Sequence, residues 1–356
     1  MKISIILGTR PEIIKMAPIV RECEKRKINF FILHTNQHYS ENLDKIFFRE
    51  LQLPHPKYNL KVGSGTHAEQ TGKMLIGIEK ILIKEKPDIV LTEGDTNTVL
   101  AGNLVATKLH IKTGHIEAGL RSYFREMPEE INRILSDRCS DYLFAPTEKA
   151  KAILVGEGIP KNKIFVTGNT IVDAVYQSLK LAKSSFILKK LNLEEGKYFL
   201  LTIHRTENVD NEKRLKGILE GINLIYKKFK LPIIFPIHPR SKKMLKTFKL
   251  KNPHGVKFIE PVGYLDFLRL QANAKLILTD SGGIQEEACI LKIPCVTLRD
   301  NTERPETLEV KSNILAGANP MKILNNTEKM LMRKKDWKNP FGCGKTAKMI
   351  IDIILK

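Results

Sequence analysis

The sequence predicts an α/β protein built from two doubly wound, parallel-sheet domains. Short, near-continuous apolar runs alternate with longer stretches of helical spacing. The apolar runs lack the in-and-out alternation of a half-exposed strand, so both faces of their sheets are covered. The chain has 356 residues, more than the about 250–300 that one core supports, and the rhythm stops once, over 170–195, before restarting.

Residues 3–7 read as the first strand and 11–24 as the first helix, which Pro11 opens because its fixed φ suits the first helical position. Residues 30–34 are the second strand and 41–51 the next helix. A long helix over 67–84 stops ahead of Pro87, which bars the residue before it from helical geometry. Strand 89–92, helix 96–108, strand 113–116, helix 129–139, strand 142–144, a helix around 148–155 and strand 164–167 continue the series. Residues 173–183 are helix-like and lead into a polar, lysine-rich connection. The second series comprises strand 198–203, helix 215–229, strands 233–237 and 256–259, helix 264–272, strand 276–278, helix 284–291 and strand 295–298. The pattern gives two Rossmann-like domains facing a cleft, 1–170 and 171–343. Residues 344–356 carry an amphipathic helix with no strand after it, expected to pack back on the first domain.

Composition narrows the class. Hydrophobic residues make up 42 %, enough for real cores. The five cysteines are scattered, odd in number and without metal-ligand spacing, so free thiols, no metal site and a reducing, cytoplasmic compartment are expected. The apolar N-terminus is broken early by Arg10, Glu12 and Lys15 and is too short for a signal peptide or a membrane span. Lys plus Arg exceeds Asp plus Glu by 59 to 39. Much of that excess lies in runs such as Arg240-Ser241-Lys242-Lys243 and Arg333-Lys334-Lys335, which read as exposed helix faces. No nucleic-acid motif of defined spacing accompanies them, so neither nucleic acid nor membrane is an expected partner.

Ligands of open parallel sheets sit beyond the carboxyl ends of the strands. After the first strand comes Gly8-Thr9-Arg10-Pro11-Glu12, with Lys15 one turn into the helix; Arg10 and Lys15 can face an anion there. Later strands are followed by Glu93-Gly94-Asp95 and by His115-Ile116-Glu117-Ala118-Gly119, and Pro128-Glu129-Glu130 opens a helix. Asp in such a place is often only a helix cap, and acids in a first helical turn are often structural. Acidic loci converging on one cleft, however, separate their pKa values and so divide acid and base roles. In the second domain, His204-Arg205 follows the first strand, and Asp280-Ser281-Gly282-Gly283 joins a strand to a helix whose free N–H groups can cradle a phosphate. Glu287, one turn in, is placed to accept from a ribose diol. Three motifs carry little: Gly63-Ser64-Gly65-Thr66-His67-Ala68 follows no apolar strand, Gly344-Lys345-Thr346 lacks the first glycine of a Walker loop, and His34 with His38 lacks further metal ligands.

The ordered set resembles the non-hydrolysing UDP-N-acetylglucosamine 2-epimerases over nearly the whole chain. The matching stretches are Gly8-Thr9-Arg10-Pro11-Glu12 with Lys15, Gly94-Asp95, His115 with Glu117-Ala118-Gly119-Leu120-Arg121, Pro128-Glu129-Glu130 with Asn132-Arg133, Gly168-Asn169-Thr170, His204-Arg205, Asp280 to Glu287, and Thr302-Glu303-Arg304-Pro305-Glu306. The resemblance implies a glycosyltransferase-B-like fold, a homodimer without cofactor, and interconversion of UDP-N-acetylglucosamine and UDP-N-acetylmannosamine. It implies Asp95, Glu117 and Glu129 as the acid/base set and Arg10 and Lys15 as substrate contacts. It places His204, Ser281, Gly282, Gly283 and Glu287 on UDP, Phe267 near uracil, and Arg304 near the diphosphate or sugar.

The chemistry suits these residue types. The carbon-2 proton of the sugar is poorly acidic, so a base removes it as UDP leaves carbon 1, and UDP then re-adds to the glycal with a proton delivered from the opposite face. Two departures from the family pattern stand out: Tyr39, Ser40 and Asn42 in the loop where an activating substrate binds in bacterial members, which puts that regulation in doubt, and Ile203 before His204, which alters the surroundings of the diphosphate contact. Competing readings are a retaining glycosyltransferase, a hydrolysing epimerase and a polyanion-binding protein without catalysis. Three acidic loci favour the epimerase, because transfer needs an acceptor groove instead.

Overall fold

The computed structural model describes residues 1–37 and 41–356, the side chains of 41–45 excepted. It divides into two compact units, Met1–Gln177 with Phe341–Lys356, and Ser178–Pro340.

The first unit runs β1 (Lys2–Leu7), α1 (Arg10–Lys25), β2 (Asn29–His34), α2 (Glu41–Glu50), β3 (Tyr58–Asn59), α3 (His67–Glu85), β4 (Ile89–Glu93), α4 (Asn97–Lys108), β5 (Lys112–Ile116), α5 (Pro128–Cys139), β6 (Tyr142–Ala145), α6 (Glu148–Gly156), β7 (Ile164–Val166) and the first part of α7 (Thr170–Ala182), which continues from Ser178 into the second. Its seven strands are parallel, in the order β3-β2-β1-β4-β5-β6-β7. Two helices begin with a capping box: Thr9 with Glu12 opens α1, and Thr66 with Glu69 opens α3. One sheet face packs Ile6, Phe31, Leu33 and Val90 against Met74, Ile78 and Leu82 of α3 and Ala101 and Val105 of α4. Ile5 and Leu7, adjacent to Ile6 and so on the opposite face of the strand, are also buried, so the sheet is covered on both sides.

The second unit runs α8 (Ile187–Leu191), β8 (Phe199–Thr202), α9 (Thr206–Val209), α10 (Glu212–Phe229), β9 (Ile233–Pro236), α11 (Pro239–Thr247), β10 (Val256–Ile259), α12 (Tyr264–Ala272), β11 (Leu276–Thr279), α13 (Gly282–Ile290), β12 (Cys295–Thr297), α14 (Pro305–Glu309), β13 (Asn313–Leu315) and α15 (Pro320–Leu331). Its six strands are again parallel, ordered β10-β9-β8-β11-β12-β13. Phe199 and Leu201 enter a core with α10 and α15, while Tyr198 and Leu200 enter another with α8, Leu270 and Ala288. Each such aliphatic side chain taken fully from water contributes roughly 1.5–3 kcal/mol.

The sequence missed β3, α9, α14, β13 and α15, and it read the residues of α8 as a polar connection. Arg240–Lys243 does lie on an exposed helix, α11, apart from buried Ser241. Arg333-Lys334-Lys335 does not: α15 ends at Leu331, and the run follows in a bend. It leads to Trp337, which is buried and donates its indole N–H to the Cys289 carbonyl at 3.0 Å. All five cysteines are free thiols. Among the described residues no helix is long and apolar enough to cross a membrane, and no group of His, Cys, Asp or Glu could hold a metal ion.

The last helix, α16 (Thr346–Ile354), packs on α1 within the first unit. Its N-terminus is capped from α7: the buried Asp173 carboxylate accepts from the Thr346 and Ala347 backbone N–H groups at 3.2 and 3.1 Å. Asp173→Ala strips both N–H groups of their acceptor and is expected to lower stability by ~1–3 kcal/mol in denaturant unfolding, whereas Asp173→Asn, which keeps one acceptor oxygen, loses less.

Candidate functional site

In both sheets the strand order reverses beside the first strand of the unit, between β1 and β4 and between β8 and β11. Loops leaving such a switch point part in opposite directions and open a crevice at the carboxyl ends of the strands.

In the first unit a buried carboxylate ties these loops. Glu12, at the third position of α1, accepts from the Gly8 and Thr9 backbone N–H groups and from the Thr96 hydroxyl of the β4–α4 loop. Burial is the largest influence on its proton and, against those hydrogen bonds, pushes its pKa up to about 7. Gly8 is required by packing, since a Cβ there would lie 2.2 Å from the hydroxyls of Thr35 and Thr98.

The same loop is held from β5 and α5. Gly94, at φ +89°, has a left-handed backbone. Its N–H donates to the Ile116 carbonyl at 3.2 Å, and its own carbonyl accepts from Nε2 of His115 at 2.8 Å. His115 is fully buried, and its Nδ1 faces the Asp137 carboxylate at 2.7 Å. A carbonyl and a carboxylate only accept, so both ring nitrogens carry protons. Burial alone would lower the pKa of His115, but the bond and charge of Asp137, with the Gly94 carbonyl, outweigh it and raise it. Arg121 lies 2.7 Å from the other oxygen of Asp137. Asn132 donates to the Asp95 carbonyl at 2.9 Å, and Arg133 pairs with the Asp95 carboxylate. Asp95 and Glu129 line one cavity of about 380 Å³, together with Thr9, Gln37, His67 and Asn132.

Glu117 follows β5 in a left-handed conformation, φ +72°, fixed by N–H donation from it and from Ala118 to the Phe144 carbonyl. Its carboxylate meets Lys15, which also lies 3.0 Å from buried Glu93 at the end of β4. Asn169 reaches Glu117 at 3.4 Å. Burial holds Glu93 well above the ordinary carboxylate range, with Lys15 opposing and Glu117 reinforcing the shift. One ammonium thus serves two carboxylates, one of them buried at the floor. Arg10 stacks over Phe47 at 5.6 Å.

In the second unit the carboxylate comes from the other side of the switch point. Asp280, fully buried after β11, accepts from the His204 and Arg205 backbone N–H groups at 3.0–3.1 Å and from the Asn208 amide at 3.2 Å. His204 Nδ1 lies 3.2 Å from it. Burial acts to raise the pKa of Asp280, but these partners overcome it and lower it. Ser281 then opens α13. Neither Gly282 nor Gly283 has a left-handed φ, and a Cβ would meet nothing near Gly283 and only Glu303 at 3.8 Å near Gly282. Packing within the chain therefore does not demand glycine here, and the first turn of α13 is left open to a ligand. Glu287, buried, accepts from the Gln271 amide at 2.6 Å and faces the Tyr264 hydroxyl at 3.4 Å. Arg304 donates to Glu286 at 2.6 Å. Arg299 clamps Glu303 with two bonds of 2.8 and 2.9 Å. Burial acts to raise the Glu303 pKa, yet the guanidinium draws it down to about 2.

Residues 21–355 match the model of a protein family described as UDP-N-acetylglucosamine 2-epimerase. The chain belongs to that family. A UDP-N-acetylglucosamine 2-epimerase of Methanocaldococcus jannaschii is 64 % identical, with 99 % of each chain covered. A crystal structure of the M. jannaschii UDP-GlcNAc 2-epimerase in complex with UDP-GlcNAc and UDP superposes with a TM-score of 0.90 at 64 % identity, covering 100 % of this chain and 99 % of that one. A UDP-2,3-diacetamido-2,3-dideoxy-D-glucuronate 2-epimerase of Pseudomonas aeruginosa is 40 % identical over the full length of both chains. The two-sheet architecture is thus the glycosyltransferase-B-like one of these epimerases.

Against the family pattern, Asp95 and Glu129 share a cavity, while Glu117 is engaged with Lys15 and is absent from that cavity's lining. Ser281, Gly282 and Gly283 start α13, and Asp280 links them to His204. Phe267 is partly buried against the core that holds Tyr198 and Leu200. Ile203 points into the opposite core. His38, Tyr39 and Ser40, and the side chain of Asn42, lie outside the described residues. Sequence reasoning gave no role to Glu12, Glu93, His115, Asp137, Asp280 or Gln271. A charge ending an apolar strand was a usable signal for Glu93 and Asp280; nothing local marks Asp137 or Gln271. Ser64, Gly65 and His67, set aside as a false fingerprint, line the Asp95 cavity.

Glu12 generates a pH test. Its folded pKa is raised, so its contribution to stability is full below about 4.5 and lost as pH rises through about 7. Glu12→Gln keeps an acceptor for Gly8 and Thr9 and can donate to Thr96. Denaturant midpoints of the variant are expected to lose a decline that in the parent amounts to on the order of 1–3 kcal/mol across that window.

Proposed function

We propose that the protein interconverts UDP-N-acetylglucosamine and UDP-N-acetylmannosamine without hydrolysis. The observation that carries this reading is the placement of Asp95 and Glu129 on one cavity at the carboxyl ends of the first sheet, since inversion at carbon 2 needs proton-transfer groups for two faces of one sugar. Family membership and the relatives' names support the substrate.

A carboxylate takes the carbon-2 proton. The electron pair of that C–H bond forms the carbon 1–carbon 2 double bond of a 2-acetamidoglucal, and the carbon 1–oxygen bond breaks with its pair leaving on UDP. In the second half, UDP re-adds at carbon 1 while a proton arrives at carbon 2 from the opposite face. Asp95, Glu117 and Glu129 are assigned this proton traffic, and Lys15 stabilises Glu117 as an anion. Arg10 and Arg304 are assigned to the substrate's negative charge. The N–H groups of α13 and His204 take the diphosphate, whose growing charge they stabilise as the bond breaks. Glu287 takes the ribose diol and Phe267 the side of the uracil. No hydride moves, so the reaction as written is redox-neutral and needs no cofactor.

The reading includes a homodimer: Ile76 and Ile83, a heptad apart on α3, are 59 % and 55 % exposed, apolar surface that a second copy would cover. It also includes a cytoplasmic setting, which keeps the free thiols reduced.

Proton NMR of UDP-N-acetylglucosamine incubated with the pure protein in deuterated water should show UDP-N-acetylmannosamine carrying deuterium at carbon 2. Release of free N-acetylmannosamine would identify a hydrolysing enzyme instead, and unchanged substrate would redirect the reading to another UDP-sugar or to glycosyl transfer. Asp95→Asn, Glu117→Gln and Glu129→Gln should each lower kcat by ~10²–10⁴-fold while UDP affinity, read by calorimetry, stays nearly constant. The converse is expected on the nucleotide side. Glu287→Ala and Gly283→Ala should weaken UDP binding about 10-fold or more, and Gly283→Ala should leave the melting temperature intact because its Cβ meets nothing.

A further inference from the structure

We propose that His115, held as an imidazolium by Asp137, is the positioning residue that sets Asp95, Glu117 and Glu129 in register. This rests on the epimerase reading above and assigns a role to a residue that touches no substrate.

The three carboxylates come from three separate segments, and His115 joins all of them. Glu117 lies two residues along the same strand end. Asp95 follows Gly94, whose carbonyl accepts from Nε2 at 2.8 Å. Glu129 stands in the first turn of α5, the helix that carries Asp137, and Asp137 meets Nδ1 at 2.7 Å. Asp137 also accepts from the Gly119 N–H at 3.2 Å, so it grips the chain on the far side of Glu117 as well.

Both hydrogen-bond partners of His115 favour the charged ring over either neutral tautomer. Nε2 faces a carbonyl and must carry hydrogen. Nδ1 faces a buried carboxylate, and a neutral ring would place two lone pairs against each other there. Arg121 is the other charge in contact: it opposes the imidazolium directly but keeps Asp137 ionised, and it is itself paired with Glu157 at 2.7 Å. Burial holds the geometry, since His115 and Asp137 are 0 % and 1 % exposed. The Gly94 carbonyl belongs to the peptide that enters Asp95, so its bond to His115 holds the backbone from which that carboxylate projects. The side-chain partner of Asp95, Arg133, belongs to the same helix, so α5 and the β4–α4 loop can shift only together.

Two measurements test this. The first is the nitrogen-15 spectrum of the wild-type imidazoles, with His115 assigned through scalar couplings from its own backbone. Both nitrogens of His115 should remain protonated at pH 8, where an ordinary histidine is neutral; a neutral tautomer at pH 7 overturns the proposal. The second compares His115→Asn, which places an amide at the Nδ1 position, with His115→Gln, which places one near Nε2 and keeps a donor for Gly94. His115→Asn should lower kcat about 100-fold with KM for UDP-N-acetylglucosamine nearly unchanged, the scale expected of a displacement of about 1 Å at a reacting group. His115→Gln should recover a large part of that loss. Equal kcat in His115→Asn and wild type, or a rise in KM that accounts for all the loss, overturns the positioning role. The spectrum is read on the wild-type protein without substrate, so it stands even if both variants fail to fold. A neutral His115 in a protein that epimerises overturns this inference alone, and a doubly protonated His115 in an inactive one overturns the functional reading alone.

Discussion

A carboxylate taken out of water must be met by donors, and the ends of parallel strands supply them as unpaired backbone N–H groups. Both units are organised by that demand. Glu12 gathers the N–H groups of the β1–α1 loop, and Asp280 gathers those of the loop after β8. Each also reaches the neighbouring loop across the switch point, through Thr96 in one case and by its own position after β11 in the other. The consequence differs with the number and kind of donors. Glu12 accepts from two backbone N–H groups and a hydroxyl and is left with a raised pKa, whereas Asp280 accepts from two backbone N–H groups and an amide, has His204 Nδ1 at 3.2 Å, and is left with a lowered one. Similar topology thus produces a near-neutral acid in one crevice and a firm anion in the other.

Much of this frame was legible in the sequence. Period and polarity gave the strands whose ends carry Asp95, Glu117 and Asp280, because a buried parallel strand is a continuous apolar run and its first polar residue marks the sheet edge. The elements that went unread are short or polar: β3 has two residues, β13 three, and α8 contains Lys189 and Lys190. For α15 the signals existed, since Asn319 caps it and Pro320 occupies its first turn, but its pairing with α10 arises only in three dimensions. The Arg333 run was misread for a related reason. Charge density marks exposure and does not say whether exposed backbone is helix or bend.

Within the candidate site the limit was pairing. His115 and Asp137 are 22 residues apart, and each has a local description that says nothing of the other. The same holds for Lys15 and Glu117, 102 residues apart. A sequence shows which groups titrate; their charges follow from who faces whom. The shared ammonium of Lys15 illustrates the difference. Beside Glu117 alone it would be a simple ion pair, but Glu93 beneath it makes the charge of one carboxylate depend on the proton of the other.

The capping of α16 by Asp173 also bears on the order in which the chain is made. Residues 341–356 leave the ribosome after all of the second unit, yet they belong to the first. The second unit, continuous in sequence, can close its core while the first still lacks its last helix and leaves the α1 surface uncovered. During synthesis the half assigned the nucleotide can therefore close first, and the half assigned the proton chemistry gains its α16 layer only once residues 341–356 have followed.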